Sequence, residues 1–122
     1  MKKLLGLFLA LAMLMTGVAM AEGTEPVFTQ DVVVLFTSDV HCGVDQGFGY
    51  AGLAAVRANL AKTNLVLLVD NGDSLQGEPI GTMTTGESNI ELMNAVGYDI
   101  ATIGNHEFDY GMDRFLELTK KA

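Results

Sequence analysis

Apolar side chains follow two alternating rhythms along the chain. Val32 to Phe36 is a continuous apolar run rich in β-branched residues, and Leu65 to Val69 is a second. Each has the length of a strand, and a run apolar at every position predicts a strand buried on both faces. Ile100 to Ile103 reads as a third, shorter strand. Between the runs the spacing changes. Leu53, Val56 and Leu60 recur at helical intervals over 50–62. Ile90, Leu92, Met93 and Val96 do the same after Ser88, a candidate N-cap, and stop at Gly97. Phe115, Leu116 and Leu118 begin a last helix. It runs into Lys120-Lys121-Ala122 with no Gly or Asn cap and no following loop, which reads as a chain that continues. The stretches 39–49, 71–86 and 104–111 read as loops, and the polar stretch 22–30, with Pro26, reads as a leader.

The order is therefore strand then helix, three times over. Such alternation predicts an α/β fold with a parallel sheet and right-handed crossovers. In sheets of this kind ligands bind beyond the carboxyl ends of the strands.

The amino-terminal stretch has a different character. Lys2 and Lys3 precede an apolar run from Leu4 to Met15, broken only by Gly6, and Ala19-Met20-Ala21 is a small-x-small cleavage site. This predicts a signal peptide over 1–21, removed after Ala21, and an exported protein: periplasmic, cell-surface or secreted. The run is short of the ~20 residues a bilayer span requires, so no stable membrane span is expected after cleavage. Processing would remove two of the seven basic residues and none of the 15 acidic ones. That balance argues against nucleic acid as a partner, because no basic stripe exists to displace counterions. Cys42 is the only cysteine, so no internal disulfide can form, and it reads as a packing residue beside a loop.

Chemistry-bearing residues cluster just after the strands. Ser38-Asp39-Val40-His41 follows the first, Asn71-Gly72-Asp73 the second, and Gly104-Asn105-His106-Glu107 the third. Each fragment alone is an ordinary turn sequence. In a parallel sheet all three loops reach one edge and offer carboxylate, imidazole and amide oxygen without a thiolate. That set suits divalent cations such as Mn, Fe, Zn or Co.

These blocks resemble the signature motifs of the calcineurin-like metallophosphoesterases. Gly72-Asp73-Ser74-Leu75-Gln76-Gly77 narrows the likeness, as does Met93-Asn94-Ala95-Val96-Gly97-Tyr98-Asp99. So does the run from Gly104 through Phe108-Asp109-Tyr110-Gly111. Together they are similar to the 5′-nucleotidase and 2′,3′-cyclic-nucleotide 2′-phosphodiesterase branch, over about 31–122. The resemblance implies the N-terminal βαβαβα portion of a four-layer αββα sandwich, incomplete in this chain. It implies two divalent metal ions (Mn, Zn, Fe, Co or Mg) and a nucleotide or other phosphate-ester substrate. Asp39 and His41 would hold the first metal, Asp73 would bridge both, and Asn105 would bind the second through its amide oxygen. His106 would act catalytically on the phosphoryl group or the leaving oxygen, and Asp109 would orient its imidazole.

The chain also departs from that pattern. The family draws three further histidines from later blocks and a nucleoside grip from a C-terminal domain, whereas only His41 and His106 occur here. The resemblance therefore implies a missing C-terminal part of the same protein and a fragment inactive alone. A thiosulfohydrolase of the same branch and a non-catalytic, weakly metal-binding fragment are the alternative readings. Glu107 stays open between support of a ligand and a solvated loop carboxylate, and Asp70 has no motif role.

Overall fold

The computed structural model describes residues 29–122; the predicted signal peptide and most of the leader lie outside the described residues. The chain runs β1 (Val32–Thr37), α1 (Gly49–Leu60), β2 (Leu65–Asp70), α2 (Pro79–Thr84), α3 (Glu87–Val96), β3 (Ile100–Ala101), a 3₁₀ turn at His106–Phe108 and α4 (Met112–Leu118). The three strands form one parallel sheet in the order β1-β2-β3, as the alternation of strand and helix predicts. Val32 pairs with Leu65 and Thr37 with Asp70; Asp70 pairs in turn with Ala101. All three strands thus end in one row.

Strand periodicity and this register sort the sheet side chains into two faces. Leu35 and Leu68 point to the face that carries the helices. Leu68 is fully buried there with Tyr50 and Leu53 of α1 and Met93 of α3, and Leu35, Leu92, Val96 and Tyr98 pack around them. A second cluster, Leu75, Ile90 and Leu118 with Phe115 against it, ties α3 to α4. Among the described residues nothing covers the opposite face: Val32, Val34, Phe36, Leu65 and Ile100 are all exposed, Phe36 to 62%. The expectation of strands buried on both faces therefore holds for one face only. Among the described residues the helices that pack on the sheet lie on the other side.

Three local expectations are corrected. The stretch 71–86 contains α2, which opens on Pro79, a residue suited to a first helical turn because its missing N–H has no partner to lose. Its Thr- and Gly-rich sequence shows no apolar period, and packing on α3 supports it. Ser88 is not a cap: α3 starts after Gly86, and the Ser88 N–H donates to Thr84 Oγ1 at 3.2 Å. The third strand is shorter than 100–103, because after Thr102 N–H reaches the Asp70 carbonyl the chain leaves the ladder.

The one-sided core makes two expectations measurable. Leu68→Ala should cost about 2–5 kcal/mol in urea unfolding, because it empties the centre of the packed face. The open face should bind a hydrophobic dye, and Val34→Ser with Phe36→Ser should reduce that signal without a comparable loss of stability. A dye-silent, cooperative unfolding transition of the isolated chain at micromolar concentration would contradict the open face.

Candidate metal centre

The row of strand ends sets the loops side by side. Asn71 N–H donates to the Thr37 carbonyl at 2.9 Å, Asp39 N–H to Gly72 at 3.1 Å and His41 N–H to Asp73 at 2.9 Å, so the first two loops prolong the ladder beyond the sheet. Asp39, His41, Cys42 and Asp73 all adopt positive φ, between 46° and 58°. Non-glycine residues in that region cost on the order of 1–3 kcal/mol each and persist where surrounding bonds impose them. Close approach leaves no room for side chains at two glycines. A Cβ on Gly77 would lie 2.1 Å from the His41 carbonyl oxygen, and one on Gly104 would lie 2.2 Å from Asp73 Oδ1.

His41, Asp73 and His106 meet at this edge, each offering one ligand atom within 4.8 Å of the others. The two imidazoles stand edge to face with centroids 5.0 Å apart. His41 Nδ1 lies 3.1 Å from the Gln76 carbonyl oxygen. A carbonyl only accepts, so Nδ1 carries the proton and Nε2 keeps the lone pair a metal takes. Asp73 Oδ1 accepts from the His106 N–H at 2.8 Å. His106 Nδ1 is 2.7 Å from Asp109 Oδ2. That hydrogen bond, reinforced by the charges of Asp109, Asp73 and Glu107, raises the imidazole pKa above its usual 6.5 despite some desolvation.

The remaining metal candidates, Asp39 and Asn105, sit on the same loops, and the Asp39 carboxylate does not join the trio. Asp39 is exposed and its carboxylate is paired with the Ser38 hydroxyl. Asn105, also exposed, immediately precedes His106. Cys42 is 1% exposed, its thiol directed at the Ser74 carbonyl oxygen. Burial, with the charges of Glu107 and Glu78, pushes that thiol up to about 11, so it stays neutral and packs as expected. The donor set is therefore imidazole and oxygen, which fits the divalent cations named above. Beside His41 a cleft of about 430 Å³ opens along Gly77, Glu78, Pro79, Thr82 and Met83. Two residues without an assigned role prove buried: Asp70, 1% exposed, and Glu107, 5% exposed. The only sequence signal for either was its place, Asp70 closing an apolar run and Glu107 closing the third block.

Comparisons with known proteins agree with this geometry. The profile of the calcineurin-like phosphoesterases matches residues 32–121. The chain is 34% identical to the 2′,3′-cyclic-nucleotide 2′-phosphodiesterase/3′-nucleotidase of Haemophilus influenzae, over 85% of this chain and 18% of that protein. It is also 34% identical to the snake venom 5′-nucleotidase of Gloydius brevicauda, over 71% of this chain and 17% of that one. Among solved structures, the calcineurin-like phosphoesterase YfkN of Bacillus subtilis superposes with a TM-score of 0.56 at 33% identity, covering 72% of this chain and 33% of its own. The chain spans under a fifth of the length of these two sequence relatives.

The His106–Asp109 pair yields a pH expectation. In an NMR titration His106 should titrate above the ordinary histidine value, and Asp109→Asn should bring it down. Because the folded pKa is the raised one, the pair's contribution to folding is fully present below the unfolded histidine value and is lost as pH rises through the folded value. A His106 pKa unmoved by Asp109→Asn would show that the contact is not formed in solution.

Proposed function

The chain belongs to the calcineurin-like phosphoesterase family, and from that premise we propose that it supplies the first metal-holding loops of an exported enzyme that hydrolyses phosphate esters of nucleotides. The convergence of His41, Asp73 and His106 at the carboxyl edge of a parallel sheet is the observation that carries this reading. The relatives named for nucleotidase and cyclic-nucleotide phosphodiesterase activity supply the substrate class. Residues 31–122 would form the N-terminal part of the phosphoesterase domain, behind a signal peptide over 1–21. Among the described residues no helix is long and apolar enough to cross a membrane.

In this reading Asp39, His41, Asp73 and Asn105 would hold divalent ions, Asp73 shared between two of them and Asn105 contributing its amide oxygen. The ions, when bound, supply Lewis acidity that activates water and neutralises the phosphate oxygens. The chain's own residues do the rest. The Gln76 carbonyl accepts from His41 Nδ1, which would leave Nε2 as the nitrogen free to take an ion. Asp109 keeps His106 protonated to higher pH and fixes its ring, leaving Nε2–H to stabilise charge on the phosphoryl group or to protonate the leaving oxygen. The cleft beside His41 offers space for the remainder of the ester. A second ion would draw only Asp73 and Asn105 from this chain, so the chain by itself would hold it loosely and turn over little substrate.

Manganese binding tests the reading. The chain should bind Mn²⁺ in calorimetry, and Asp73→Asn should weaken binding at least tenfold, whereas Cys42→Ala should not. With excess Mn²⁺ and a nucleoside monophosphate, phosphate release should stay barely above background. Mn²⁺ affinity indifferent to Asp73 would sink the assignment, and rapid release by the chain alone would show that its own ligands suffice.

A further inference from the structure

Glu107 closes the third block, yet neither of its oxygens is available to an ion. Oε1 accepts from the N–H groups of Ser74 at 2.7 Å and Leu75 at 3.3 Å. Oε2 accepts from those of Asp73 at 2.9 Å and Gly104 at 2.6 Å. One buried carboxylate thus joins the loop after β2 to the loop after β3. We infer that Glu107 is a positioning residue, whose carboxylate clamps four backbone N–H groups and so fixes where Asp73 presents its own carboxylate to a divalent cation. The inference rests on the metal-site reading above and extends it to a residue that touches no ion.

The surroundings of Asp73 show why a clamp matters. Asp73 sits at φ 57°, a region uncommon for residues other than glycine. Its N–H is taken by Glu107 and its carbonyl by His41 N–H, so the backbone cannot rotate without breaking both. The next residue is held as tightly. Ser74 gives its N–H to Glu107 and its hydroxyl to Asp70, while its carbonyl accepts from Cys42 Sγ and Asn89 Nδ2. Asp70 takes the Gly72 N–H as well, at 3.0 Å. Two buried carboxylates therefore hold the Gly72–Leu75 loop from below. Their charge is met by N–H and O–H dipoles, which leaves the ligand carboxylates above to be met by a cation.

Glutamine is the discriminating replacement. It matches glutamate in size, but its amide nitrogen donates and cannot accept. Either orientation turns that NH₂ onto two N–H donors, because each oxygen of Glu107 serves two. In the metal-free chain, hydrogen exchange at Asp73, Ser74, Leu75 and Gly104 should be slower than at Gln76 and Gly77, and Glu107→Gln should speed it. The same variant should weaken Mn²⁺ binding about 10–100-fold, the usual effect of removing a group that orients a ligand. It should also alter the paramagnetic resonance spectrum of the ion that remains bound. Leu68→Ala, which weakens the core without touching these loops, should keep Mn²⁺ affinity. Fast exchange at the four amides of the unsubstituted chain would overturn the clamp without any variant having to fold. Mn²⁺ affinity unchanged in Glu107→Gln, or lost equally in Leu68→Ala, would overturn the positioning role. Absence of Mn²⁺ binding in the unsubstituted chain would instead strike the metal-site reading, with amide exchange still deciding the clamp.

Discussion

The parallel register of Thr37, Asp70 and Ala101 is the constraint from which the candidate site follows. Each strand delivers its loop at the same height, so residues distant in sequence arrive as neighbours. The Asp39-to-Gly72 and His41-to-Asp73 hydrogen bonds are the ladder continued past the end of the sheet. A slip of one residue between β1 and β2 would turn Leu68 or Leu35 away from the helices and separate His41 from Asp73 together. Core and site are thus held by the same alignment, and the buried apolar face enforces it.

Much of this was legible in the order of residue types. Apolar runs followed by Asp-x-His, Gly-Asp and Gly-Asn-His-Glu point to a parallel sheet with three polar loops at one edge, and the family likeness read from those blocks agrees with the profile match. Such signals are local, and each sits directly after the run that positions it. The features that escaped are set by contacts across the fold. The helix at Pro79–Thr84 has no apolar period and is supported by α3. Glu107 looks like any loop carboxylate until four amides from two other stretches of chain converge on it. The meeting of His106 with His41 and Asp73, by contrast, follows the expectation that the three loops reach one edge.

The two sheet faces show how far sequence pattern reaches. Val32, Val34 and Phe36 are as apolar as their neighbours, and a two-sided run does state that both faces favour cover. It does not state what supplies the cover. Within the described residues the helices serve one face, through Leu68 and Tyr50, while Phe36 and its row stay in solvent. The sheet is thereby asymmetric, with its polar loops at one edge and an apolar surface running up to them.

Cys42 carries a consequence of its own. Its sulfur sits so close to Gly81 that a methyl group there would overlap it, and its thiol is both shielded and held neutral. Alkylation of a thiol requires access and ionisation, and the closed loop denies both. The rate at which a small electrophile consumes this single cysteine should therefore report any opening of the His41 loop away from the Ser74 carbonyl. Mass spectrometry of the alkylated chain would read that opening from this one sulfur, beside His41.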